Sequence, residues 1–150
     1  VIRILLDADL ILEAFMNRRE LTEDIRQLLD GVDPLIQMYL TNVGWQKISV
    51  YASCLNGSNI TDILVYWLQQ KIAVSHVDQQ IIQTARSLPL KDFESAVELS
   101  CAQYWQLDAI VTHKQEDFAL STNKLLWVWS IADLRLRANL ENQLQATRYI

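Results

Sequence analysis

Five short apolar runs punctuate this chain, and each is separated from the next by at least one stretch of helical length. The runs are Ile2 to Leu6, Leu35 to Leu40, Ile72 to Val77, Ala109 to Thr112 and Leu125 to Trp129. The first is β-branched and apolar and stops abruptly at Asp7, as a parallel strand buried on both faces does. Between the runs, apolar residues recur at helical spacing over Leu10 to Phe15, Thr22 to Asp30, Val43 to Leu55, Thr61 to Lys71, Asp78 to Ser87 and Asp92 to Trp105. Asp33-Pro34, Asn56-Gly57 and Pro89 supply turns, and Asp78 is placed to cap its helix. Ser130 with Asp133 three residues on resembles a capping box that opens a last helix through about Leu144. Strands alternating with helices imply βαβ crossovers. The expected fold class is therefore α/β, a three-layer sandwich around a mostly parallel central sheet.

The bulk properties agree with one domain. The chain has 150 residues, 51% of them hydrophobic and 21% charged, which is enough to bury a core and excludes disorder. With 3 Gly and 2 Pro, long irregular connections are not expected. Residues 1–130 read as the domain and 131–150 as a C-terminal helical extension of it, with Leu134, Leu136, Leu140 and Leu144 set among charged residues. That extension covers the domain, pairs with a second copy or leads into a further domain. A formal net charge of -5 argues against a protein that wraps duplex DNA. Cys54 and Cys101 lack metal-type spacing and read as buried free thiols, as in a reducing cytoplasm. No signal peptide and no membrane span are expected, and the start at Val1 reads as a trimmed or excised N-terminus.

In a parallel sheet the functional crevice lies beyond the carboxyl ends of the strands. Acidic residues gather there. Asp7 ends the first strand and Asp9 follows, Asp92 and Glu94 open a helix, and Glu116 and Asp117 follow the Ala109–Thr112 strand. Converging carboxylates are tolerated when a hard divalent cation neutralises them, and such a cation activates water for phosphodiester cleavage. Taken singly, each acid is equally explained as a helix cap.

The local sequences resemble a known family. "ILLDADLIL" resembles the opening strand of PIN domains, in which an Asp ends the strand ahead of a hydrophobic helix. "LPLKDFESAVELSCAQYWQLDAIVTHKQEDF" resembles the second half of the same family, and the likeness spans about Ile2 to Val128. The resemblance implies a Mg²⁺- or Mn²⁺-dependent endoribonuclease of the toxin or RNA-processing type, with Asp7, Asp92, Glu94 and Asp117 catalytic and Asp7, Asp92 and Asp117 on the metal. It also implies RNA as substrate, an antitoxin-like or other protein partner, a homodimer and a cytoplasmic location. Two positions depart from the family pattern. Gln46, in "TNVGWQKIS", stands where a second acid is expected, and Ser95 stands where the helix motif carries Asp. Lys114 replaces a frequent Asn, and Thr112 matches the polar residue at the strand exit. Ser95, Gln46, Thr112 and Lys114 are thus expected to contact substrate, with Asp92 or Glu94 substituting as ligands, or Lys114 taking the place of the cation. The alternative reading is a catalytically inactive PIN-like binding or regulatory module. A third takes Asp7-Ala8-Asp9 as the nucleophile motif of haloacid-dehalogenase-like phosphatases, but Leu10-Ile11 and the lack of a paired acid motif oppose it.

The remaining polar features carry less. His76 and His113 have no partner at zinc spacing and read as surface residues. Arg18, Arg19, Lys91, Lys114 and Lys124 fall in loops that border the crevice and offer grips for phosphate. Trp127 and Trp129 flank Val128, so alternation places both on one face, packed beneath a helix.

Overall fold

The computed structural model describes residues 1–17, 30, 35–54, 59–118 and 126–148. The helix expected over Thr22 to Asp30 lies outside the described residues except at Asp30. The described elements run β1 (Ile2–Leu6), α1 (Ala8–Asn17), β2 (Ile36–Thr41), α2 (Asn42–Cys54), α3 (Asn59–Lys71), β3 (Ile72–Ser75), α4 (Gln79–Ser87), α5 (Phe93–Tyr104), β4 (Ala109–Val111), α6 (Gln115–Phe118), β5 (Trp127–Trp129) and α7 (Ile131–Arg148).

The strands form one sheet in the order β3-β2-β1-β4-β5, and every described pairing is parallel. β1 holds the centre because it is apolar on both faces. Ile4 and Leu6 point into a cluster with Leu10, Ile11, Ile48, Leu68 and Leu134, drawn from α1, α2, α3 and α7. Leu5 points the other way, onto Leu99 and Ala102 of α5 and Phe118 of α6. Beyond α5 lies α4, whose Ala85 packs on Ala96 and Val97. Helices cover both faces, so the three-layer arrangement holds.

The helix starts are set by side-chain caps. Asp78 accepts from the Ile81 N–H at 2.9 Å and Asp92 from the Glu94 N–H at 3.2 Å. At the head of α7 the bonding is reciprocal, Ser130 N–H to Asp133 Oδ2 at 2.9 Å and Asp133 N–H to Ser130 Oγ at 3.1 Å. Thr41 plays the capping part for α2, its Oγ1 accepting from the Gly44 N–H at 2.8 Å.

Several boundaries differ from the sequence reading for identifiable reasons. β3 stops at Ser75 rather than Val77, because its register pairs Ser75 with Thr41 and the partner strand ends there. α7 runs on to Arg148, since nothing between Leu144 and Arg148 is a helix breaker. Cys101 is buried but Cys54 is exposed, which corrects the expectation for that thiol. The buried residues of α2, Gly44 and Ile48, lie in its first half, and Cys54 is its last residue. Trp127 and Trp129 do share a face, with ring centroids 5.6 Å apart. Trp129 packs on the core, while Trp127 stays 49% exposed with the Arg137 guanidinium 5.7 Å above its ring.

α7 buries Leu134 and Ala138 in the larger core cluster and leaves Leu136, Leu140 and Leu144 exposed. Leu134→Ala is expected to cost about 2–5 kcal/mol in urea unfolding, whereas Leu136→Ala stays within about 0.5 kcal/mol. Equal and small effects of the two would mean that α7 is not part of the folded unit.

Candidate functional site

The chain leaves β1 toward β2 on one side and returns to β4 on the other, so the crevice of this sheet opens between the carboxyl ends of β1 and β4. Asp7 and Thr112 are the first residues past those two ends. The Asp7 N–H continues the ladder to the Val111 carbonyl at 2.9 Å. Its carboxylate is only 2% exposed and is aimed by two donors, the Thr112 hydroxyl onto Oδ2 at 2.8 Å and the Asp9 N–H onto Oδ1 at 2.9 Å. Thr112 itself is fully buried. A carboxylate so placed has one orientation.

Asp9, in the first turn of α1, is gripped from both sides. Lys47 of α2 donates to Oδ1 at 2.7 Å and Lys114, between β4 and α6, donates to Oδ2 at 2.7 Å. The grip extends outward, because Lys47 also reaches Glu94 Oε2 at 2.7 Å and Lys114 lies 3.7 Å from Asp92 Oδ2. Ser95 braces the rim by donating its hydroxyl to Asp92 Oδ2 at 3.0 Å. Burial alone would raise the Asp9 carboxyl, but the ammoniums of Lys114 and Lys47 outweigh it and hold the group below the usual carboxylate range. Burial likewise works against the Lys47 ammonium, yet Asp9 and Glu94 leave it well above its ordinary value. The hydrogen bond that Lys114 donates to Asp9 raises the Lys114 ammonium.

Glu98, one turn beyond Glu94 on α5, completes the cluster and had no role in the sequence reading. It is 9% exposed and its buried Oε2 has no hydrogen-bond partner. Burial, then the charge of Asp7 and a hydrogen bond to it, push its carboxyl well above the ordinary range. Burial and the neighbouring Asp7 carboxyl thus act together against ionisation of Glu98. The available signal was a lone acid inside the apolar stretch Ala96-Val97-Glu98-Leu99, on a helix whose residues Ser95 to Ala102 are all buried.

Known structures resemble this architecture. The chain superposes on VapBC2 from Rickettsia felis bound to a promoter DNA fragment, with a TM-score of 0.61 and 9% identity over 85% of this chain and 99% of that one. A toxin–antitoxin complex from Klebsiella pneumoniae gives a TM-score of 0.56 and 19% identity over 82% of this chain and 94% of that one. VapBC-1 from nontypeable Haemophilus influenzae gives 0.58 and 15%, over 84% and 96%. The fold is PIN-like. At these identities the likeness is one of fold; no family sequence model and no curated protein matches the chain.

Against the PIN-like expectation the acids are redistributed. Gln46 is exposed, and the α2 residue that reaches the cluster is its neighbour Lys47. One residue along a helix turns the side chain by about 100°, so Gln46 faces outward and it is the Lys47 ammonium that meets Asp9. Ser95 is buried against Asp92 rather than open to a ligand. Asp117 and Glu116 stand exposed on α6, and the Asp117 contact described is its N–H to the Lys114 carbonyl at 3.0 Å. His113 Nε2 sits 3.6 Å from Glu13 Oε2, while His76 and Lys91 are exposed. Arg18, Arg19 and Lys124 fall outside the described residues. Among the described residues no group of three His, Cys, Asp or Glu side chains is arranged to hold a metal ion. Both oxygens of Asp9 are taken by ammoniums, so Asp9 itself has no free oxygen to offer Mg²⁺ or Mn²⁺.

The two perturbed carboxyls pull stability in opposite directions with pH. Glu98 binds its proton more tightly in the folded chain than in the unfolded one, so stability falls as pH rises from about the ordinary value of 4.5 toward its raised value. Asp9 binds its proton less tightly when folded. Its contribution is full above the ordinary value of 3.8 and fades as pH drops through the lowered one. Urea unfolding across acid to mildly alkaline pH is expected to lose the first decline in Glu98→Gln and the second in Asp9→Asn. An unchanged profile in Glu98→Gln would show that Glu98 is not protonated beside Asp7.

Proposed function

We propose that this chain is a PIN-like binding module that engages a protein partner of the antitoxin kind and does not hydrolyse RNA by the metal-dependent route. The observation that carries this reading is the pair of 2.7 Å contacts from Lys47 and Lys114 to the two oxygens of Asp9. A divalent ion brought into the same crevice would meet both ammoniums. Two unit charges about 4 Å apart interact by roughly 4 kcal/mol at an effective dielectric near 20, and a doubly charged ion doubles that for each lysine. The carboxylates that would compensate are engaged. Asp9 is shared between the lysines, burial and Asp7 oppose ionisation of Glu98, and Asp92 takes the Ser95 hydroxyl.

The partner half of the proposal draws on the solved structures of similar fold, which are toxin–antitoxin assemblies. One observation favours the other reading, a Mg²⁺- or Mn²⁺-dependent endoribonuclease. Asp7 is buried at the switch point with its carboxylate aimed, as a metal ligand in such a crevice would be. In that reading Asp7, Asp92 and Asp117 hold the ion, Glu94 assists, and Thr112, Lys114, Ser95 and Gln46 contact RNA.

Calorimetric titration of Mn²⁺ into the protein separates the two. No saturable binding is expected, and no Mn²⁺-dependent RNA cleavage. The double variant Lys47→Glu with Lys114→Asn is expected to gain a saturable, Mn²⁺-dependent rise in melting temperature, because it exchanges two cations for metal-compatible oxygens. Saturable binding by the wild type that disappears in Asp7→Asn hands the site to the endoribonuclease reading. For the partner, a photo-crosslinking residue at exposed Gln46 is expected to capture protein; capture of RNA instead sinks that half.

A further inference from the structure

Beside the ion-pair cluster, α2, α4 and α5 enclose a cavity of about 140 Å³. Ala8 and Val97 line it and are both buried. Val77 and Ile82, just before and within α4, continue the apolar wall. Val43 of α2 and Phe93 of α5 are 42% and 50% exposed, so the apolar lining reaches solvent at a mouth between those two helices. An apolar protein cavity of about 150 Å³ takes up benzene, so this one has room for a single ring of about six carbon atoms.

Three charged side chains also touch the cavity, and none of them favours a charged occupant. Lys47 and Glu94 are already paired with each other at 2.7 Å, and Lys47 is paired a second time, to Asp9. An ammonium brought beside that pair meets the Lys47 ammonium, and a carboxylate meets Glu94. Glu98 reaches the wall too, but its unpartnered Oε2 is enclosed by protein and offers an occupant nothing. A charged group moved into such a space gives up its water and gains no free counter-charge. An apolar ring gives up only its unfavourable contact with water.

We propose that this cavity binds a small neutral molecule, with one ring-sized apolar body and no charged group. The ring lies between Val43, Ile82 and Val97, against the alkyl stems of Lys47 and Glu94. Asp7, Asp9 and Asp92 do not line the cavity. The assignment therefore goes beyond the binding-module reading and stands whether or not the crevice takes a metal ion.

The test is titration of toluene, benzyl alcohol, benzylamine and benzoate into the full chain, followed by backbone amide NMR. The four probes share one ring and differ in charge. Toluene and benzyl alcohol are expected to shift the Val77, Ile82 and Val97 signals saturably, with benzylamine and benzoate both at least about tenfold weaker. Val43→Trp fills the mouth from an exposed position, and Ile82→Trp fills the cavity from the α4 wall. Each is expected to weaken toluene by about tenfold or more, compared only if its unfolding transition matches the wild type. Where neither variant folds, the charge series decides alone. A charged probe that matches toluene overturns the assignment, as does the absence of any saturable shift. Saturable toluene shifts confined to other parts of the chain overturn it too, and so does full toluene binding by both folded tryptophan variants.

Discussion

The arrangement of this crevice depends on a buried carboxylate, Asp7, fixed at the point where the strand order reverses. Its two oxygens are aimed by the Thr112 hydroxyl and the Asp9 amide, one from each side of the switch point. A carboxyl group with 2% exposure must find its polar partners within the protein. Hydrogen bonds orient Asp7 but bring little charge. The charge arrives one layer out, where Asp9 sits between two lysines, while on the other side burial and Asp7 push the Glu98 carboxyl upward.

Asp9 and Glu98 show how local partners decide ionisation. Both are acids near Asp7, and burial pushes both carboxyls upward. Asp9 touches two ammoniums and ends below its ordinary value, whereas Glu98 faces Asp7 and ends well above. Most of the difference lies in which elements deliver lysine. α2 and the β4–α6 connection both converge on α1, and neither delivers a cation to α5 at Glu98. α5 is enclosed instead, with Leu99 and Ala102 on the sheet and Ala96 and Val97 under α4.

Much of the fold was legible in the residues. Apolar β-branched runs ending at polar residues marked the strands, and Asp78, Asp92 and Ser130 with Asp133 marked three helix starts by capping chemistry. What was not legible depends on partners distant in sequence. The end of β3 is set by the length of β2, and the exposure of Cys54 by where α2 outruns the core. Pattern places Asp7, Thr112, Lys114 and Asp92 at strand or helix ends, and the structure has them there. Pattern does not single out Lys47, because one residue of helix phase decides which side chain faces inward. Glu98 escapes it for a different reason: a helix glutamate four residues from another reads as a solvated face until a second helix is known to cover it.

The ammoniums of Lys47 and Lys114 have a consequence separate from chemistry at the crevice. An ion held by oxygen ligands exchanges with solution, so its occupancy follows free metal concentration and is stripped by chelators. A charge carried on a lysine stem is part of the chain, and its presence is fixed at synthesis. On the proposed non-hydrolytic reading, the acidic mouth of this fold therefore offers the same electrostatic face in magnesium-poor and magnesium-rich surroundings. Recognition at that face is set by sequence rather than by ionic supply.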